Sequence, residues 1–185
     1  MNTWAGWLRA AQIATIVLFS LVMGVFWGTW FSLSRTMDRL PPGTFLADGQ
    51  QMIHNLARPM AILMPVAVLC ALVALVLLWA PRPTPEFWWM LAGFVLMLGA
   101  LVVTVAIEVP IDNKIKTWTV ATLPADWRSI QSRWELYHTV RTFLSIGALV
   151  AVTVSAVGRH AVRRRHPVRK QLVGAAAEGR ATYRS

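Results

Sequence analysis

The stretch MAILMPVAVLCALVALVLLWA, residues 60–80, has no charged side chain and no polar one except a cysteine. A helix of about 20 such residues, rising about 1.5 Å each, crosses the hydrocarbon core of a bilayer. Three further uncharged apolar stretches occupy 10–33, 87–107 and 142–158. The last is short for a crossing, and its helix is expected to begin in the polar segment before it. In lipid the backbone must satisfy its own hydrogen bonds, so four such stretches predict an all-α integral membrane four-helix bundle.

Composition agrees. Of 185 residues, 56% are hydrophobic and 14% charged, against about 25% charged in soluble domains. The chain divides into a four-span membrane domain, 1–158, and a basic cytoplasmic tail, 159–185. Its single cysteine, Cys70, excludes a disulfide within one chain. Only Arg9 is basic before the first stretch, no small-x-small cleavage site follows, and the run is about twice a signal core, so it reads as a retained span.

Aromatic residues mark the ends of the spans, as amphipathic rings do at headgroup level. Trp4, Trp7, Trp79, Trp88 and Trp89 fall at one side, and Trp27, Trp30 and Phe31 toward the other. Small residues recur at every fourth position, Ser20, Gly24, Gly28 and Ser32 in the first span and Gly147, Ala151 and Ser155 in the fourth. Both stripes are expected to pack helix against helix.

Orientation follows from the basic residues. Arg159, Arg163, Arg164, Arg165, Arg169 and Lys170 come directly after the fourth span. An even number of spans puts both termini and the 81–86 turn on that same side, with Glu86 and Glu178 its only acids. The positive-inside rule then predicts the inner membrane with both termini cytoplasmic. In the turn, Thr84 is expected to cap the third helix, with Pro85 and Glu86 in its first turn.

The formal charge of +10 would suggest nucleic acid if it were spread over a soluble face. Concentrated beside a span, it predicts anionic lipid as the partner, at about 1 kcal/mol per basic residue. From Leu172 the tail is rich in Gly and Ala and is expected to be disordered.

Two longer extracytoplasmic loops, 34–59 and 108–141, hold nearly all the side chains capable of chemistry. Glu108 ends the third span, and Pro110 is expected to stop the helix just past it. A carboxylate at that position needs a cation, and Arg58, Arg133 and Arg141 are the candidates. From Trp127 a helical stripe carries Trp127, Gln131, Trp134, His138, Arg141 and Ser145 on one face. Glu135 and His138, three apart, are neighbours on the helix surface. Stacked Trp, His and Arg suit a flat, electron-rich organic molecule, with His138 as base or hydrogen-bond donor. Each residue alone also reads as an ordinary interfacial anchor, with Glu135 paired to Arg128 or Arg133. In the first loop, Asp48 and Gln51 have capping-box spacing, and His54 and Arg58 share the face of the helix they would start.

Glu135-x-x-His138 is half of a di-iron motif, but its second half is missing. A mononuclear site of His54, Glu108, Glu135 and His138 is the weaker alternative to no metal. No phosphate loop, nucleophile elbow or dinucleotide fingerprint occurs.

The run Glu108-Val-Pro-Ile-Asp-Asn113, then Ile115, Trp118, Trp127 and Arg133-Trp134-Glu135-x-x-His138-x-x-Arg141, resembles the signature of the anthrone-oxygenase-like family of small four-helix membrane proteins. Phe45, Gln51 and the Pro59-Met60 entry to the second span agree more loosely, and the tail lies outside the resemblance. The resemblance implies oxygenation of an anthrone to an anthraquinone with no metal or flavin. It implies Asn113, Trp134, His138 and Arg141 as site residues, with His138 deprotonating a phenolic substrate, Arg141 holding the anion and tryptophans stacking on the rings. Glu135 joins the expected catalytic group, and Trp118, Trp127, His54 and Arg58 the expected binding group. The expectation is therefore a cofactor-independent oxidation of a hydrophobic aromatic or quinol-like molecule at the outer face, in a chain that can form a homo-oligomer. The alternative is a non-catalytic membrane accessory or binding protein.

Overall fold

A computed structural model describes residues 3–34, 40–79 and 84–182, with side chains described over 3–32, 40–79 and 84–158. Among the described residues the chain is helical and contains no strand. Helix α1, Thr3–Gly28, ends in a wider π-helical turn, Thr29–Ser34. Helix α2 is Pro42–Leu78 and α3 is Pro85–Val103. A second π-helical turn, Thr104–Glu108, leads into the short helix α4, Val109–Ile115. The backbone of α5 runs Trp127–Thr182. The tail expected to be disordered lies beyond the described side chains, as do its arginines and residues 80–83 of the turn.

Four helical segments are long and apolar enough to cross a membrane: Thr3–Ser32, Pro42–Leu78, Pro85–Ile115 and Trp127–Gly158. The chain is thus a multi-pass membrane protein with the expected four-helix bundle. α1 packs on α2 and α5, α2 on α3, and α3 most extensively on α5. The core runs through the bundle from Leu8, Phe19 and Phe26 of α1 to Met64 and Ala71 of α2, Met90 and Met97 of α3, and Ala148 and Val152 of α5. Trp4, Trp7, Trp79, Trp88 and Trp89 are all exposed, as rings seated in a headgroup layer would be.

Three local expectations need correcting. The second helix begins at Pro42, with proline in its first turn, and passes through Asp48 without a break, so Asp48 does not cap it. Proline suits that first position because its missing N–H would be unsatisfied there in any residue. Pro110 does not stop the third helix either. The chain widens at 104–108, Val109 N–H bonds back five residues to the Thr104 carbonyl, and helix resumes as α4. The π turn absorbs the bond that proline cannot donate. Thr84 does sit at the N-cap of α3, but its side chain makes no cap hydrogen bond.

The two small-residue stripes part company. Gly24 and Gly28 are exposed, and a Cβ at either would meet nothing within 4 Å, so the first stripe faces outward. The second packs: Ala151 and Ser155 are buried, and Ser155 Oγ donates to the Glu86 carbonyl at 2.7 Å. The closest approach is at Gly93 of α3, where a Cβ would stand 2.5 Å from Val152 Cγ1 and 3.1 Å from the Ala148 carbonyl oxygen.

Candidate functional site

The polar end of the bundle is built by α2, α4 and the start of α5. Period-3.6 spacing turns Trp127, Gln131, Trp134, His138 and Ser145 inward, and all five are buried. Arg141 lies on the same stripe with its side chain only 11% exposed. The stripe read from the sequence is therefore a single inward face.

Glu108 is 0% exposed at the end of the π turn. Arg141 Nη2 stands 3.0 Å from its Oε2. Neither Glu108 oxygen has a hydrogen bond of good geometry, so the contact is a charge pair. Of the three cations the sequence allowed, Arg141 is the partner. A buried ion needs this compensation, since desolvating an unpaired charge costs several kcal/mol, roughly. Arg141 also donates from Nη1 to Thr104 Oγ1 at 3.3 Å, and its guanidinium lies 4.4 Å over the Phe26 ring.

The same guanidinium fixes the state of His138. Arg141 Nε is 3.1 Å and Nη2 2.8 Å from His138 Nδ1. Guanidinium only donates, so Nδ1 is the unprotonated, accepting nitrogen and a neutral ring carries its proton on Nε2. Nε2 is buried and makes no hydrogen bond. In this arrangement the ring offers a donor, while its one lone pair is occupied.

Trp134 stacks flat on His138, with centroids 4.9 Å apart and planes within 5°. Its Nε1 donates to Asp112 Oδ1 at 3.0 Å. The sequence by itself gives Asp112 no role. Its pairing with a tryptophan 22 positions later leaves no periodic signal, because α4 and α5 meet only in the fold.

A cavity of ≈ 340 Å³ opens beside this group. Its walls are apolar, among them Phe26, Met60, Met64 and Leu101, and its polar lining is Thr29, Thr104, Asp112, Asn113, Lys116, His138 and Arg141. Trp134 also lines it. Most sites for small organic ligands share this design, with apolar walls and a few converging polar groups.

The remaining expected residues lie elsewhere. His54 and Arg58 are exposed and do not line the cavity. Trp118 and Trp127 pack into the cap: Trp127 meets Phe45 at 5.0 Å, and the Trp118 carbonyl accepts from Gln50 Nε2 at 2.9 Å. Glu135 accepts from Gln131 Nε2 at 3.1 Å. The four side chains weighed as a metal site are not brought together. Among the described residues no three His, Cys, Asp or Glu side chains cluster to hold a metal ion.

The sequence pattern of the anthrone oxygenase family matches residues 54–151, over half of the chain. The chain belongs to the anthrone oxygenase family. The match spans α2 from His54, all of α3 and α4, and α5 as far as Ala151, so it includes every polar residue named above that lines the cavity except Thr29, in the π turn after α1. No curated protein and no solved structure matches the chain significantly.

Proposed function

We propose that this anthrone oxygenase family member oxidises a flat, hydroxylated aromatic molecule, an anthrone or a quinol-like relative, taken up from the bilayer. The oxidant is dioxygen. For an anthrone, the C10 methylene loses both hydrogens, one oxygen atom becomes the new carbonyl, and the other leaves with those hydrogens as water. The observation that carries the reading is the ≈ 340 Å³ cavity between spans, apolar along its walls, with Trp134, His138 and Arg141 in its lining. Phe26, Trp134 and His138 supply the aromatic part of its lining. Arg141 and the His138 Nε2–H supply positive character for an oxygen that gains charge in the reaction. Such preorganised donors commonly account for a large share of a barrier reduction.

The side of the membrane is part of the proposal. The basic tail supports cytoplasmic termini, and with them a cavity toward the outer leaflet. Asn113, exposed at the cavity rim, is suited to a substituent hydroxyl. The polybasic tail is suited to anionic lipid on the cytoplasmic side.

The test is anthrone turnover by the purified chain in phospholipid nanodiscs, following dioxygen uptake and quinone absorbance. Wild type oxidises anthrone, and Arg141→Met is slowed by about 100-fold or more, as for loss of an oxyanion donor. Absence of turnover in wild type, with stoichiometric protein partners on mild-detergent purification, replaces the enzyme by an accessory protein.

A further inference from the structure

A reaction that begins by removing a proton needs a base, and the contacts around His138 take that role away from it. Four ionisable side chains line the cavity: Asp112, Lys116, His138 and Arg141. Arg141 has no lone pair, and a charged Lys116 has none either. Lys116 is exposed and lies 3.4 Å from Asn113 Oδ1. The accepting nitrogen of His138 is filled by Arg141. Glu108 carries the charge that holds Arg141 and does not line the cavity. Asp112 is left. It is half-buried, its Oδ1 is fixed by the Trp134 indole N–H, and a carboxylate so held keeps a second oxygen for a substrate proton.

We infer that Asp112 is the general base of this site and that Trp134 positions it, a conclusion that rests on the oxidation proposed above. Trp134 joins the two halves of the chemistry. Its N–H holds the carboxylate, and its ring lies parallel to the imidazole of His138. In an anthrone the acidic methylene and the carbonyl sit at opposite ends of the central ring, so base and oxyanion donors belong at separate points of one cavity.

The step balances. The second oxygen of Asp112 takes one C10 proton, and the C–H electron pair moves through the ring into the carbonyl, giving an anthranolate. Its oxygen is met by Arg141 and the His138 Nε2–H. Dioxygen then bonds to C10 as the electron pair passes to it, and the peroxide takes the proton from Asp112. Asp112 removes the second C10 hydrogen while the O–O bond breaks. Hydroxide leaves, combines with that proton as water, and the quinone remains.

The test separates proton removal from oxygenation. Full-length protein in nanodiscs is mixed with anthrone in D2O without oxygen, and deuterium entry at C10 is followed by mass spectrometry. Wild type accelerates exchange over empty nanodiscs. Asp112→Asn lowers that acceleration by about 100-fold or more, the scale of general base catalysis. Anthrone binding, read by tryptophan quenching, stays within about threefold of wild type, since Asn keeps the acceptor that Trp134 needs. Asp112→Glu restores part of the exchange. Asp112→Asn exchanging at the wild-type rate overturns the inference, as does a parallel loss of binding, which makes Asp112 structural. Wild-type exchange without dioxygen uptake keeps Asp112 and removes the oxygenase reading. Oxidation by wild type with exchange indifferent to Asp112 removes only the inference. A wild type that does neither removes both.

Discussion

Arg141 Nη2 lies 3.0 Å from Glu108 Oε2, and the same guanidinium donates to His138 Nδ1. One cation thus neutralises a fully buried carboxylate and sets the tautomer of a buried histidine. Charge balance and chemistry at this site share a single side chain.

Glu108→Gln leaves the buried Arg141 charged without the carboxylate it pairs with. Breaking a buried pair from one side costs about 3–5 kcal/mol. Thermal unfolding in detergent should show that loss, and the double variant Glu108→Gln/Arg141→Met should be more stable than Glu108→Gln alone. A double variant no better than the single one would show that the ion pair is not what holds the two residues.

His138 separates two roles by substitution. Gln can place an N–H donor near the position of imidazole Nε2, and Leu cannot. If His138 acts as donor, His138→Gln keeps turnover within about tenfold of wild type and His138→Leu falls by about 100-fold or more, the loss expected for one oxyanion donor. Equal losses in the two variants would return His138 to the role of base.

Gly93 permits the closest contact between α3 and α5. Val152 is β-branched and stiff, and the Ala148 carbonyl at 3.1 Å from the added carbon is backbone, so neither yields readily. Gly93→Ala should destabilise the bundle by about 1–3 kcal/mol, as overpacking does. Gly24→Ala, whose new methyl meets nothing within 4 Å, should not lower the unfolding temperature.

The proposed orientation can be read with a membrane-impermeant maleimide on a Cys70→Ala background. Thr119→Cys, on the exposed segment between α4 and α5, should label in intact spheroplasts, and Ser185→Cys only after lysis. Labelling of Ser185→Cys in intact spheroplasts, with Thr119→Cys labelled only after lysis, would reverse the topology and the face at which the cavity opens.

The sequence alone determined the number of spans, the all-α class and the inward stripe from Trp127 to Ser145. Those follow from hydrophobic length and from a period of 3.6 residues, which are local properties of the chain. The family signature was legible for the same reason, since its residues stand at fixed spacings. Only tertiary structure decided which of three arginines meets Glu108, that Trp134 holds Asp112, and that His54 and Arg58 stay outside the cavity. It also decided that one small-residue stripe packs while the other faces out. These depend on how helices rotate and approach one another, and the π turn at 104–108 that ends on the buried Glu108 is invisible to periodicity.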